Sequence, residues 1–179
     1  MTKYISELLQ EVNDTKGRKA KSEVLKENES RALRYILAYG LHPNVRFFTN
    51  TIPPYTPDDG PIGVNPNNLF RAWRQFYVFL DDHPCDNDRK EKVLIQLMEG
   101  LHEDEARVVE QVIRRKGFEA RGLTPNLVKM TFPGLLGEAR EGDRAERNAE
   151  HNEMVEAAKR HANQNAPENA DHHAKQHAK

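Results

Sequence analysis

The segment NNLFRAWRQFYVFLDD, residues 67–82, decides the fold because it carries the widest apolar stripe of the chain. Its large apolar side chains recur at helical spacing: Leu69, Trp73, Phe76, Tyr77 and Leu80. This spacing predicts a helix over residues 67–82 with one broad face turned towards a hydrophobic core. A base-stacking platform for nucleic acid is the other interpretation of Trp73 and its neighbours, but aromatic residues at helical spacing more often belong to a core.

Apolar residues before this segment also recur at helical spacing: Ile5, Leu8, Leu9, Val12, Val24, Leu25, Leu33, Ile36 and Leu37. They predict a short amphipathic helix that ends near Asn13, followed by two helices or one broken helix. Gly40 is the expected stop of that second region. The next stretch, residues 42–68, is rich in proline and shows no strand pattern, so we expect an irregular loop that is either functional or disordered.

Three further helices are predicted after residue 82. Their apolar positions are Val93, Leu94, Leu97, Met98 and Leu101 in the first, and Ala106, Val109, Val112 and Ile113 in the second, which opens near Asp104. The third begins at Thr124, an N-cap residue followed by Pro125 at the first helical position, and ends before Pro133 and Gly134. The fold class is therefore all-α, a compact helical bundle.

Composition changes sharply after residue 137. From residue 138 to residue 179, the only large apolar side chains are those of Met154 and Val155. Such a segment has little to bury. We expect a helical domain over residues 1–137, followed by a polar, Ala- and His-rich C-terminal tail over residues 138–179 that is helical or disordered.

The formal net charge of the whole chain is only -1. Residues 1–137 carry 20 Lys and Arg against 19 Asp and Glu, and the tail carries 7 against 9. A protein that binds nucleic acid mainly by counterion release usually shows a clear positive excess. Any nucleic-acid binding by this chain must therefore come from a local cationic patch.

Two local clusters of cations stand out in this balanced background. One comprises Lys16, Arg18, Lys19 and Lys21, and the other comprises Arg114, Arg115, Lys116 and Arg121. The second lies just before Gly122 and the helix start at Thr124, where free N–H groups and the positive end of a helix dipole favour an anion. The alternative interpretation is that each cluster is an ordinary solvated face.

No cofactor, metal or catalytic site is predicted. The sequence has no Gly-rich phosphate loop, nucleophile elbow or HExxH motif. Asp58 and Asp59 lie between prolines and glycines and are interpreted as turn formers. His172, His173 and His177 lack the acidic or cysteine partner that would complete a tight metal site.

The sequence also bears on the compartment. Cys85 is the single cysteine, so an intramolecular disulfide is impossible and a reducing, intracellular environment is expected. No segment reaches the roughly 18 apolar residues of a membrane span. We therefore expect a soluble protein with no membrane partner.

Four elements of the sequence, in this order, are similar to those of a known family: ISELLQEV, KGRKAKSEVLKEN, NNLFRAWRQFYVFL and GLTPNLVKMTFPGLL. The sequence resembles the N-terminal DNA-binding domain of ATP-dependent DNA ligases, of the T-even phage type, over roughly Ile5 to Leu136. In that family, a Gly-x-Ser step precedes a helix and a Pro-Gly-Leu stop. Gly122, Leu123 and Thr124 stand at the step here, and residues 133–135 stand at the stop.

The resemblance implies an all-α domain that holds duplex DNA from the minor-groove side around a nick, mostly through the phosphate backbone. By position, Arg121, Gly122 and Thr124 would meet phosphate, with the two cation clusters around them. No lysine is followed by x-Asp-Gly, the motif on which a ligase forms its adenylate, so no enzyme activity is expected.

Two functions follow from the resemblance. The first is a non-catalytic, sequence-independent accessory protein that binds duplex or nicked DNA in replication or repair, made by a tailed phage and working in the host cytoplasm. The alternative is a protein-interaction adaptor that docks on a phage or host replication or transcription component, such as the sliding clamp.

Overall fold

The computed structural model describes residues 3–137, and within them the chain is all-α, as predicted. Its elements in chain order are α1 (Ile5–Asp14), α2 (Arg18–Glu27), α3 (Arg31–Leu41), α4 (Leu69–Ala72), a 3-10 helix (Trp73–Phe79), α5 (Asn87–Glu99), α6 (Glu103–Arg114) and α7 (Pro125–Thr131). Strand-like pairing in this part of the chain is limited to two isolated bridges. The predicted tail lies outside the described residues.

The first helix forms as its apolar pattern predicts. Helix α1 buries Ile5, Leu8, Leu9 and Val12 on one face. Its start is closed by Glu7, whose carboxylate accepts the backbone N–H of Tyr4 at 2.8 Å. A carboxylate in the first turn also suits the positive end of the helix dipole.

Helix α3 runs through Gly40, which is therefore not the predicted stop. The helix begins at Ser30, whose hydroxyl accepts the N–H of Leu33 at 3.1 Å, and ends at Leu41. A Cβ atom at Gly40 would lie 2.6 Å from Cζ of Phe118. The glycine thus admits the Phe118 ring against the helix, a packing reason that its position in the sequence does not reveal.

The segment over residues 67–82 is not the single α-helix that its spacing predicts. After four residues of α4, the chain tightens into the 3-10 helix, which buries Trp73, Phe76 and Phe79. A period of three residues per turn places these three rings on one side. The helix ends where the chain turns to pair with residues 46–48: the N–H of Phe48 donates to the carbonyl of Phe79 at 2.9 Å, and that of Asp81 to Arg46 at 3.0 Å.

Aromatic packing joins this segment to α3. Tyr35 stacks on Trp73 with ring centroids 4.3 Å apart, and Tyr39 stacks on Phe76 at 5.6 Å. Trp73 is only 7% exposed. Such burial leaves no face for a nucleic-acid base, so the core interpretation of this residue is confirmed.

Residues 42–68, here named the strap, are irregular, as predicted, but are tied to the bundle at several points. The hydroxyl of Tyr55 donates to Glu110 on α6 at 2.8 Å, and burial together with this bond raises the pKa of Tyr55 to about 12. The carbonyl of Asp58 accepts the N–H of Glu103 at 2.9 Å. Asp58 also accepts the N–H of Gly60 at 3.0 Å, which confirms its role in a turn.

Candidate nucleic-acid interface

Packing of α7 on α2 places parts of the two cation clusters side by side. In the buried contact between the helices, the hydroxyl of Thr131 donates to that of Ser22 at 2.9 Å. At the edge of this contact, the guanidinium of Arg18 donates to the carbonyl of Asn126 at 3.3 Å. The backbone N–H of Arg121 donates to Asn13 Oδ1 at 2.9 Å, so residues 108 positions apart become neighbours.

We name this surface the cationic edge and define it as Lys16, Arg18, Lys19, Arg121 and the α7 start at Thr124. The side chains of all five residues are exposed. The first three come from the start of α2 and the turn before it, and the other two come from the segment that leads into α7. The fold thus gathers four cations that the sequence separates by about a hundred residues.

The four cations of the edge have no carboxylate partner among residues 3–137. Other exposed cations of the described chain do have one. Lys3 pairs with Glu11 at 2.7 Å, and Arg34 pairs with Glu29 at 3.2 Å. The charges of the cationic edge are therefore available to an external anion, whereas those of Lys3 and Arg34 are partly neutralised.

The α7 start adds polar groups to this edge. The Thr124 hydroxyl accepts the N–H of Leu127 at 3.3 Å, which confirms the predicted cap, and Pro125 has no N–H. The cap does not use the N–H of Asn126. Gly122 turns the chain towards this cap with a φ of 80°, and a Cβ there would lie 3.4 Å from Cε of Lys21, so the tight turn suits glycine.

Lys21, predicted as a phosphate contact, is instead a buried structural residue. Its side chain is only 8% exposed. The ammonium donates to the carbonyls of Val12, of Asn13 at 3.4 Å and of Arg121 at 2.6 Å. These bonds satisfy carbonyls at the C-terminal end of α1 and hold the segment before α7 against that end. The ammonium is therefore not available to a ligand.

Arg115 is also used internally, although it belongs to the second predicted cluster. Its guanidinium donates to the carbonyls of Tyr39 at 2.8 Å and His42 at 2.7 Å, at the C-terminal end of α3. Burial lowers the pKa of this guanidinium from its ordinary value. Its backbone φ of 54° is left-handed and ends α6.

The two cations next to Arg115 in the sequence, Arg114 and Lys116, have different surroundings. Arg114 pairs with Glu110 one turn earlier on α6, at 3.5 Å. Lys116 is exposed and takes part in no ion pair within the described residues. Of Arg114, Arg115 and Lys116, only Lys116 is therefore exposed and without an ion pair within the described residues, as the cations of the cationic edge are.

Two further cations, Lys26 and Lys129, extend the exposed positive charge beyond the residues of the two clusters. Lys26 lies seven residues after Lys19 on α2, and Lys129 lies in the last turn of α7. A seven-residue spacing is the signal that would have placed Lys26 on the face of Lys19. Exposed Glu23 lies between them on that face and reduces the local positive charge.

No group of three or more His, Cys, Asp or Glu side chains in residues 3–137 is arranged to hold a metal ion. Within the same residues, no helix combines the length and the apolar character that a bilayer crossing requires.

Comparison with known proteins identifies a family but no activity. Residues 8–117 match the family described as "Family of unknown function (DUF6433)". The match begins within α1, includes α2 to α6 and stops before the segment that leads into α7. No curated protein matches the chain.

Proposed function

The chain belongs to this family of unknown function, and we propose that it is a non-catalytic protein that binds duplex or nicked DNA through phosphates, without reading the base sequence. It would act as an accessory protein of DNA replication or repair in a tailed phage, in the host cytoplasm. The observation that carries the proposal is the cationic edge, whose four cations lack carboxylate partners among residues 3–137.

The geometry of the edge suits a phosphate backbone better than base edges. Phosphates are bound by Lys and Arg side chains and by backbone N–H groups at helix starts, which are the groups present here. Arg18 and Lys19 lie on α2, Lys16 lies in the turn before it, and Arg121 lies in the segment before α7. The resemblance to the ligase DNA-binding domain supports the same mode of contact.

The number of phosphate contacts determines how tightly the protein is expected to bind DNA. Four phosphate contacts predict a slope of log affinity against log salt of about -3.6 on duplex DNA. With a net charge of -1, the rest of the protein adds no attraction. We therefore expect weak, steeply salt-dependent binding, with dissociation constants on the order of micromolar to 100 micromolar at physiological salt.

The DNA-binding test replaces Lys16, Lys19 and Arg121 together by alanine. Arg121 holds its structural contacts through its backbone N–H and carbonyl, so its side chain can be removed without disturbing the fold. Fluorescence anisotropy with a labelled duplex over a salt series should show the slope reduced by about 3 and the affinity lowered roughly 100-fold at low salt. Duplexes of unrelated sequence should lose affinity equally.

The matched control removes three exposed cations elsewhere, Arg71 on α4 with Arg89 and Lys92 on α5. The change in net charge is the same, so this variant should bind as the unmodified protein does. Equal loss of affinity in both variants would show a general charge effect and contradict the cationic edge as the binding site. Absence of duplex binding by the unmodified protein at about 50 mM salt would remove the DNA-binding proposal.

The protein is also expected to form no adenylate. Incubation of the purified chain with radiolabelled ATP and magnesium should leave no acid-stable label, because no lysine precedes x-Asp-Gly. An ATP-dependent DNA ligase labelled in parallel provides the positive control. A covalent adenylate on this chain would contradict the non-catalytic proposal.

A second candidate is an adaptor that docks on a replication or transcription protein, such as the sliding clamp. Met130 favours this candidate because it is 42% exposed on α7, next to Lys129. Methionine is enriched in protein contact surfaces, where its flexible thioether side chain adapts to the shape of a partner. Under this candidate, Met130→Ser would abolish partner binding, whereas DNA binding would be absent from the start.

A further inference from the structure

The aromatic side chains of the chain, which DNA-binding proteins use to stack on unpaired bases, are all partly or fully buried. The chain contains one Trp, five Tyr and seven Phe, and every one of them lies within residues 3–137. None of these rings is exposed. The large apolar side chains that are exposed in the same residues, Val64 and Met130, carry no ring. The described surface therefore offers no exposed aromatic ring to a nucleic-acid base.

The two segments that form the cationic edge, residues 13–24 and 121–131, contain no aromatic residue. The rings that flank the second segment have other contacts. Phe118 packs against Gly40 on α3, and Phe132 is only 5% exposed, with the guanidinium carbon of Arg34 6.0 Å from its ring centre. A base that reached the edge would meet cations there but no ring.

The backbone that carries these cations is fixed by hydrogen bonds. Arg121 donates its N–H to Asn13 Oδ1 at 2.9 Å, and its carbonyl accepts the Lys21 ammonium at 2.6 Å. Arg18 reaches from α2 to the carbonyl of Asn126 at 3.3 Å. The cations therefore start from fixed positions. A duplex presents its phosphates at equally fixed positions, whereas a flexible single strand loses conformational freedom when it matches them.

We propose that the cationic edge selects the structure of DNA: it binds paired strands, binds single strands about tenfold more weakly, and does not distinguish a nicked duplex from a continuous one. This inference rests on the proposed function, because it takes DNA as the ligand of the edge. It adds that bases contribute nothing to binding, whether they are unpaired or opened at a nick.

Counterion release determines the difference between duplex and single strand. Each phosphate contact contributes about -0.9 to the slope of log affinity against log salt on duplex DNA and about -0.7 on a single strand, so four contacts give about -3.6 and -2.8. At about 50 mM salt, this difference corresponds to roughly tenfold weaker binding of the single strand. Stacking on one aromatic ring would offset it, since each stacked base strengthens binding by roughly fivefold to 100-fold.

A nick changes the exposure of bases more than the arrangement of phosphates. It leaves almost all phosphates of the duplex in place and opens the faces of the two flanking base pairs. With four phosphate contacts and no ring at the edge, nicked and continuous duplexes should bind with the same slope and with affinities equal within about twofold. A protein that stacks on the opened base pairs would instead prefer the nicked duplex.

Fluorescence anisotropy tests the proposal on the full chain with three labelled ligands: a continuous duplex, the same duplex with one central nick, and single-stranded oligothymidine. The ligands are compared at equal total phosphate concentration over a salt series that begins at about 50 mM. The two duplexes should bind equally. The single strand should bind roughly tenfold more weakly, with a slope less steep by about 0.8.

The outcomes separate this inference from the proposed function. If the duplexes bind but oligothymidine binds as tightly, or if the nicked duplex binds more tightly than the continuous one, the DNA-binding proposal stands and the selectivity is wrong. If neither duplex binds at about 50 mM salt, the proposed function fails, and this inference fails with it.

A variant with an added ring provides an independent test. Asn126 is exposed, and its bond to Arg18 uses the backbone carbonyl, so Asn126→Trp places a ring beside the cations and keeps their charges. Its affinity for oligothymidine should rise roughly tenfold, with the duplex affinity unchanged within about twofold. Exposed Gln96→Trp on α5 is the matched control and should change neither affinity. No gain in Asn126→Trp, or an equal gain in Gln96→Trp, would overturn the proposal.

Discussion

Replacing Lys21 by alanine is expected to lower the free energy of unfolding by about 3 kcal/mol or more. The buried ammonium donates to three backbone carbonyls, those of Val12, Asn13 and Arg121. Hydrogen bonds to a charged group contribute about 1.5–3 kcal/mol each, and buried carbonyls left without a donor add a further penalty. Urea unfolding followed by circular dichroism measures the loss.

Two variants separate the ammonium from the rest of the side chain. Lys21→Met keeps the apolar stem that packs beside Gly122, so its loss reports the hydrogen bonds alone and should be most of the alanine effect. Lys19→Ala removes an exposed cation from the same helix and should change stability by less than about 0.5 kcal/mol. If Lys21→Ala and Lys19→Ala unfold alike, the structural role of Lys21 is wrong.

Replacing Arg115 by alanine is the second large effect, expected at about 3 kcal/mol. Its guanidinium spans the carbonyls of Tyr39 and His42 and so closes the C-terminal end of α3 from the end of α6. Two charge-assisted hydrogen bonds are lost together. Arg115→Lys should recover only part of the stability, because one ammonium cannot reproduce the planar fork of a guanidinium.

The backbone conformation of Arg115 predicts different losses of stability for glycine and for alanine at this position. Because φ at Arg115 is 54°, glycine should lose about 1 kcal/mol less than alanine although it removes the same side chain. Arg114→Ala is the matched control, since Arg114 forms only a partly exposed pair with Glu110 and should cost less than about 1 kcal/mol. Equal losses for Arg114→Ala and Arg115→Ala would contradict the assignment of Arg115 to the α3 end.

Lys21 and Arg115 show which part of the candidate site could not be predicted from the sequence. Lys21 and Arg115 look like their neighbours Lys19 and Lys116, and spacing cannot separate them. What separates them is the position of carbonyls far away in the chain: Arg121 O lies 100 residues from Lys21, and Tyr39 O lies 76 residues from Arg115. Lys21 and Arg115 lie against backbone carbonyls at helix ends and bond to them, whereas Lys19 and Lys116 lie against no such carbonyls and stay exposed.

Several elements were nevertheless predictable because their signals are local. The apolar spacing of α1 and the cap at Thr124 involve residues within one or two helical turns, and both are as predicted. The segment over residues 67–82 departs from its α-helical spacing, and its helix ends at Phe79, where competing hydrogen bonds to residues 46–48 begin. That competition involves a segment more than thirty residues earlier, so no local pattern contains it.

By itself, the sequence determined the helical class, the buried faces of α1, α3 and α6 and the capped start of α7. These follow from periodicity and from caps, which act over a few neighbouring residues. Only the tertiary structure decided where α4 gives way to the 3-10 helix, which cations form the cationic edge, and which of the predicted cations bond to backbone carbonyls at helix ends. The physical reason is that hydrogen-bond partners and burial are properties of packed segments distant in the chain, whereas helical spacing is a property of neighbours.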